Sequence, residues 1–323
     1  MHNSANQKYF NQQNLKIMPK MHVEESVVIN ADAAKISSVL NDFNQWQVWS
    51  PWLILEDGVK VVVADDGKSY SWEGERVGSG EMSIASSNEK EIHMDLTFLK
   101  PWKSKAKVDF EIKPNGSGTE LTWKMDSSLP FFLFWMKKMM ESLIGMDYER
   151  GLSMLKDYIE DGKVHSALKF EGKSTYPATK YVGIITSCEK EDIGTNMEKD
   201  FTKLMEFTKE NNIEPVSAPF SIYNKMNMTT GATTYTAAIP VKELPKNLSN
   251  NMMSGELQET EVYSVKHTGP YKHLGNPWTA GYMMDRNKEI KINKKIPPFE
   301  VYLNDPGEVN ELELETQVCF PLK

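Results

Sequence analysis

Several aromatic residues and one carboxylate near the end of the chain have the chemistry to bind a flat or cationic organic molecule. Aromatic faces stack on flat rings and attract cations, and a buried carboxylate adds a full negative charge. The members of this group are Tyr263, Tyr271, Trp278, Tyr282, Tyr302 and Glu300. A single ring of this kind is typical of core packing, so the prediction rests on the whole group as the lining of a groove.

The same segment offers side chains for acid–base chemistry. His267 precedes Thr268-Gly-Pro270 at the expected end of a strand, where it is a candidate general base near Tyr271 and Glu300. A structural, hydrogen-bonded histidine explains this position as well, because spacing identifies no activated serine or cysteine. We therefore predict a non-catalytic protein that senses or sequesters hydrophobic or cationic organic molecules, and we keep a hydrolase or cyclase using these three residues as the alternative.

These residues lie in an internal repeat. Pro-Phe-Ser-Ile-Tyr at 219–223 parallels Pro-Phe-Glu-Val-Tyr at 298–302, an offset of 79 (298 − 219), and 238–242 parallels 319–323 at an offset of 81 (319 − 238). Each copy is predicted to form strand, helix, strand, strand. The elements are 181–187, 195–210, 220–223 and 233–239, then 259–267, 278–292, 299–303 and 314–320. Pairing of the copies about a pseudo-twofold axis predicts a groove between them.

The first half of the chain has a different pattern. A strand at 23–29 is followed by a cap at Asp32, a helix at 33–40 and a short helix around 43–46. Six runs of β character follow at 59–63, 69–75, 80–86, 91–98, 104–113 and 119–126, and helical spacing of apolar residues continues from Pro130 to Ile159. This order predicts a helix-grip domain, a curved antiparallel sheet around a long helix. Trp46, Trp49 and Trp52 are expected to close one end of its core.

The fold class is therefore α+β with two domains. The boundaries are a disordered leader at 1–20, the helix-grip domain at 21–162, a linker at 163–177 and the duplicated domain at 178–323. The linker is placed there because the helical pattern ends at Gly162 and Pro177 precedes a new apolar run.

Composition limits the partners. The net charge of −8 argues against binding to a phosphate backbone, and no segment approaches the ~20 apolar residues that span a bilayer. Without a signal peptide, the chain is expected to be cytoplasmic, with a small organic molecule as partner and neither nucleic acid nor membrane. Cys188 and Cys319 are expected to be reduced and buried, and no metal or cofactor motif is present.

Two resemblances support this division. Ser26-Val-Val-Ile-Asn-Ala31, Trp46-Gln-Val-Trp-Ser-Pro-Trp52 and Ser71-Trp-Glu-Gly74 resemble the polyketide cyclase-like branch of the START-like (SRPBCC) superfamily over roughly residues 22 to 160. From residue 178 onward, the repeat, His267-Thr-Gly-Pro-Tyr271 and Phe299-Glu-Val-Tyr-Leu-Asn-Asp-Pro306 resemble the gyrase-inhibitor-like (GyrI-like) effector-binding domain. The second resemblance implies ligand sensing or sequestration, and its name adds inhibition of a protein partner as a further alternative. The fusion resembles a recurrent bacterial architecture.

One position departs from the GyrI-like pattern. The last strand of the second repeat in that family often carries a glutamate in a Thr-Glu-aromatic pattern, but Gln317 stands at the matching position. Glutamine keeps the hydrogen bonding and loses the charge. Glu315, on the same face of the strand, or Glu300, on the neighbouring strand, is predicted to supply a carboxylate instead.

Overall fold

The computed structural model describes residues 19–100 and 103–323, together forming two compact units. The first unit comprises the chain up to Val164 except Ile54–Glu56, and the second comprises His165–Lys323 and that short segment. Residues 1–18 of the predicted leader lie outside the described range, and Lys20 already begins the first strand.

The first unit is a seven-stranded antiparallel sheet with a long helix, as predicted. Strands β1 to β7 are Lys20–Ile29, Lys60–Val63, Ser69–Glu73, Ser79–Ser87, Glu91–Lys100, Ser104–Asn115 and Gly118–Ser128. Helices α1, α2 and α3 are Ala33–Leu40, Phe43–Trp49 and Lys137–Asp161, with 3-10 turns at Leu53–Leu55 and Phe131–Met136. The strand order is β1-β7-β6-β5-β4-β3-β2. A 3-10 turn therefore precedes the long helix, which begins later than its apolar spacing predicts.

The predicted cap at the start of α1 is present. The Asp32 side chain accepts a hydrogen bond of 2.7 Å from the backbone N–H of Lys35. Such a bond satisfies one of the free N–H groups of a first helical turn.

Aromatic rings fill the space between the sheet and the second half of α3. Trp123 of β7 stacks on Tyr148 of α3 with ring centroids 3.9 Å apart. Trp46 and Trp49 of α2 are buried in the same cluster, as predicted, whereas Trp52 is half-buried and donates a hydrogen bond of 3.1 Å to Asp147.

Two glycines of α3 differ in what surrounds them. A Cβ on Gly151 would lie 2.8 Å from the Trp123 ring and 3.0 Å from Pro51, whereas a Cβ on Gly145 would meet only the flexible end of Glu25, at 3.0 Å. Gly151 therefore serves close packing of the helix on the aromatic cluster.

We expect Gly151→Ala to lower the free energy of unfolding by about 1–3 kcal/mol, because overpacking outweighs the better helix propensity of alanine. Gly145→Ala is the matched control and should be neutral or stabilising by up to about 1 kcal/mol. Urea unfolding followed by tryptophan fluorescence measures both, because seven of the eight tryptophans precede residue 140. Equal effects of the two substitutions would contradict the packing role of Gly151.

The second unit is one eight-stranded antiparallel sheet. Strands β8 to β15 are Ala167–Tyr176, Thr179–Cys188, Phe220–Met226, Thr233–Pro240, Met252–Leu257, Thr260–Thr268, Phe299–Tyr302 and Glu315–Pro321, in the order β12-β9-β11-β10-β14-β15-β13-β8. Helices α4 and α5 are Ile193–Glu210 and Gly275–Arg286. The two predicted copies are thus β9-α4-β10-β11 and β13-α5-β14-β15.

The predicted second helix, 278–292, is wrong at its end. Helix α5 stops at Arg286, and Lys288 adopts a left-handed backbone with φ 64°. Ile290 and Ile292 still pack in the core with Met284, from a loop rather than from a helix. Because Ile290 and Ile292 reach this core from the loop, their spacing in the sequence resembles that of a longer helix, and the prediction extended the helix to residue 292.

The predicted linker at 163–177 is also wrong for most of its length. Residues 167–176 form edge strand β8, which pairs with β13 of the second copy. Strand β12 precedes the second copy and pairs with β9 of the first. Each copy therefore has a preceding strand that crosses to the other copy. Strand β8 was missed because most of its residues are polar and none is fully buried.

No helix of the described residues is both long and apolar enough to cross a membrane. Both cysteines are free; Cys319 is buried as predicted, and Cys188 is only half-buried.

Candidate ligand-binding site

The two copies join where β10 pairs with β14. In this pairing Ser221 lies opposite Glu300, with Phe220 opposite Val301 and Ile222 opposite Phe299. Ser221 and Glu300 are also equivalent residues of the repeated motif. The pseudo-twofold axis therefore passes between them, as the predicted arrangement of the copies requires.

The Glu300 carboxylate is surrounded by aromatic hydrogen-bond donors. Its Oε1 accepts a bond of 2.5 Å from Trp278 Nε1 on α5. Its Oε2 accepts bonds of 2.9 Å from the hydroxyls of Tyr223 and Tyr302. The residue is 1% exposed, so water does not solvate it. When Glu300 is ionised, these neutral donors are therefore what stabilises its negative charge.

Burial controls protonation at this site. Loss of solvation raises the pKa of Glu300, against the opposing effect of its three hydrogen bonds. Burial and the nearby Glu300 charge raise the pKa values of Tyr223 and Tyr302 well above 10.0, so both phenols remain donors at neutral pH. No cation of the described residues contributes to the pKa of Glu300.

Equivalent residues of α4 and α5 contact the two tyrosines. On one side, Trp278 lies 4.7 Å from the Tyr223 ring and stacks on Tyr282 at 5.9 Å. On the other, the Tyr302 hydroxyl oxygen lies 3.5 Å from Met197 Sδ, and the Tyr302 ring meets the Phe201 ring edge-on at 5.5 Å. The pairs Met197/Trp278 and Phe201/Tyr282 share the offset of 81 (278 − 197 and 282 − 201).

Sequence reasoning missed three residues of this site: Tyr223, Met197 and Phe201. The signal that identifies them is the repeat itself. Extending its offset from the strands to the helices pairs each one with a predicted site residue.

Tyr271 and Tyr282 form the outer rim. Each is 39% exposed. The Tyr271 ring lies 5.9 Å from Tyr302, and its pKa is raised to about 12, first by burial and then by the Glu300 charge. Aromatic surface thus continues from solvent to the buried carboxylate.

Two predicted site residues, Glu315 and Gln317, lie on the other face of the sheet from Glu300, and a third, Tyr263, packs beside α5 against the same core cluster as Trp278. Glu315 and Gln317 are on the opposite face of β15 from Thr316, Val318 and Phe320. Val318 and Phe320 pack in the core beside α5, whereas Cys319 packs on the other face with Phe299. Glu315 forms an ion pair of 2.7 Å with Lys266. Tyr263 packs against the core beside α5. Of the two carboxylates proposed to replace the missing glutamate, only Glu300 lies among the aromatic rings.

His267 belongs to a separate polar cluster. Its Nε2 lies 3.0 Å from Ser166 Oγ, which accepts a bond of 2.9 Å from Asn276 Nδ2. Burial lowers the pKa of His267 to about 4, with a smaller contribution from His273, so the ring is neutral at pH 7. His267 Nδ1 is buried without a hydrogen-bond partner among the described residues, so this Ser–His pair has no third, orienting member.

A cavity of about 710 Å³ lies beside α4, between β9 and the chain that enters β12. Its lining includes Asp200, whose Oδ2 accepts bonds of 2.6 Å from Thr186 and 2.9 Å from Tyr235. These bonds tie α4 to the sheet, which gives Asp200 a structural role. No pattern in the sequence predicts this cavity.

The raised pKa of Glu300 predicts a pH-dependent stability. An unfolded glutamate loses its proton at a pKa of about 4.3, whereas the folded protein holds the Glu300 proton to a higher pH. The free energy of unfolding therefore falls as the pH rises from about 4.3 through the folded pKa. We expect Glu300→Gln to raise the Tm at pH 7.5, by about 2–4 °C for each kcal/mol of relieved desolvation, and this difference to shrink as the pH falls toward 4. Scanning calorimetry across that range measures it. A difference independent of pH would rule out titration of Glu300.

Each of the two units matches the model of a known protein family. Residues 20–160 match the family model described as polyketide cyclase / dehydrase and lipid transport, and residues 174–323 match the GyrI-like small molecule binding domain. These matches confirm the predicted fusion and support small-molecule binding by the second unit. No curated protein matches the chain.

Solved structures resemble parts of the chain. An EcmrR–DNA complex is 16% identical, with 58% of this chain and 65% of that chain covered and a TM-score of 0.42, so this chain spans less than two thirds of that relative. SAV2435 bound to tetraphenylphosphonium is 12% identical over 48% of this chain and 94% of that chain, with a TM-score of 0.37. A START superfamily protein from Mycobacterium smegmatis is 21% identical over 44% and 99%, with a TM-score of 0.34. The absence of a nucleic-acid partner stays a prediction.

Proposed function

We propose that this chain, a polyketide cyclase-like START domain joined to a GyrI-like small-molecule-binding domain, binds a lipophilic organic cation beside Glu300. The observation that carries the proposal is the buried Glu300 carboxylate, which has three neutral aromatic donors and no cationic partner among the described residues.

Electrostatics favour a cation at this position. A buried carboxylate is unfavourable unless its charge is compensated, and neutral donors compensate it only in part. A bound cation supplies the missing charge and also interacts favourably with the faces of Trp278 and the tyrosines. The ligand therefore stabilises the ionised form of Glu300.

The hydrogen bonds restrict the kind of cation. Both carboxylate oxygens already accept bonds from Trp278, Tyr223 and Tyr302. A ligand that needs a close N–H bond to Glu300 has to displace one of them. A quaternary or delocalised cation with apolar substituents needs no such bond and fills the aromatic surroundings, so this class fits best.

The same contacts favour binding over turnover. Within the described part of the chain, the hydrogen-bond donors to Glu300 are an indole and two phenols, and the raised pKa values keep both phenols protonated. A hydrolase or cyclase needs an activated nucleophile or water beside the carboxylate. His267, the candidate base, is engaged with Ser166 instead.

Tetraphenylphosphonium is a suitable probe, because its charge is delocalised and covered by phenyl rings. We expect it to bind the full-length protein in isothermal titration calorimetry. Glu300→Gln should weaken its binding at least about 30-fold, since loss of a buried charge partner costs 2–5 kcal/mol.

Two controls make the result specific. Tetraphenylborate has nearly the same shape and the opposite charge, and it should not bind detectably. Glu315→Gln, which removes the other candidate carboxylate, should leave the affinity for tetraphenylphosphonium unchanged. Equal binding of both ions, or an unaltered affinity of Glu300→Gln, would refute recognition of the cation by Glu300.

A further inference from the structure

One end of the first unit carries large apolar side chains that are mostly exposed. Phe132, Phe134 and Trp135 of the 3-10 turn before α3 are 70%, 59% and 68% exposed. Met139 and Leu143, each 37% exposed, lie four residues apart on one face of α3, in its first two turns. Single exposed apolar residues are ordinary, but several large ones within twelve residues indicate an interaction surface.

Four exposed lysines accompany these apolar residues. Lys138 follows the turn directly, and Lys20, Lys103 and Lys105 lie at the end of the sheet from which the turn leaves. Lys20 pairs in register with Ser128, the last residue of β7, and Ser127 Oγ donates a bond of 3.0 Å to the Lys105 carbonyl. The aromatic–basic patch consists of Phe132, Phe134, Trp135, Met139, Leu143, Lys20, Lys103, Lys105 and Lys138.

The patch is positively charged on a chain with a net charge of −8. Within the described part of the chain, none of its four lysines forms an ion pair. The acidic residues Glu73, Glu141 and Asp126 at this end of the unit are paired with Lys100, Lys137 and His22, which do not belong to the patch. The local positive charge is therefore not neutralised.

We propose that the aromatic–basic patch docks on the surface of an anionic lipid bilayer. Exposed Phe and Trp side chains partition into the headgroup region, and flanking lysines attract anionic lipids. The sequence-based prediction of no membrane partner rests on the lack of a spanning segment, and a peripheral contact needs none. Docking is independent of the Glu300 site.

Vesicle co-sedimentation of the full-length protein tests this proposal. We expect at least about tenfold stronger partitioning onto phosphatidylcholine vesicles that contain phosphatidylglycerol than onto phosphatidylcholine alone. The double substitution Phe132→Ser with Trp135→Ser should weaken this partitioning at least about tenfold. Lys103→Ala and Lys138→Ala should each weaken it about fivefold, and raised salt should do the same.

The matched control is the double substitution Val62→Ser with Met205→Ser, which removes apolar side chains that are 55% and 56% exposed outside the patch. It should partition like the wild type. Quenching of tryptophan fluorescence by brominated phosphatidylcholine gives a second readout without a polar substitution, and Trp135→Phe should remove most of it.

Three outcomes would overturn the proposal. One is partitioning that does not depend on anionic lipid, and another is an equal loss in the control variant. The third is a wild-type dimer in sedimentation velocity that the patch variant converts to monomer without any vesicle binding, which would assign the surface to a second copy of the chain.

Discussion

The arrangement of the second unit depends on the pairing of β10 with β14, which brings equivalent residues of the two copies face to face. Ser221 and Glu300 are directly opposite each other in this pairing. If both positions carried glutamate, two carboxylates would meet across adjacent strands, which is unfavourable. Serine in one copy leaves a single buried carboxylate on the pseudo-twofold axis, with Tyr223 and Tyr302 donating to it from the two sides.

The duplication is symmetric in its backbone and unequal in its chemistry. Helices α4 and α5 present Met197 and Trp278 at equivalent positions, but only the indole donates a hydrogen bond to Glu300. Met197 contacts the Tyr302 hydroxyl through sulfur. The α5 side of the site therefore supplies a hydrogen-bond donor to Glu300. The α4 side supplies a flexible, polarizable thioether that can adjust to ligands of different shape.

Crossing edge strands hold the two copies together. Strand β8 leads into the first copy and pairs with β13 of the second, while β12 leads into the second and pairs with β9 of the first. Separation of the copies would break these pairings as well as the β10–β14 join. The pairing that positions Glu300 is thus supported from both edges of the sheet.

The sequence by itself determined the two domains, the order of the elements in the first domain and within each copy of the repeat, the duplication, and the concentration of aromatic residues around Glu300. These features follow from the periodicity of apolar residues and from comparison of the chain with itself, because both depend on residue types and their spacing along the chain and not on which strands pair. The tertiary structure alone decided that Glu315 and Gln317 face away from Glu300 and that residues 167–176 form a strand paired with β13. The physical reason is that strand register and long-range pairing set which face a side chain occupies, and a shift of one residue reverses it.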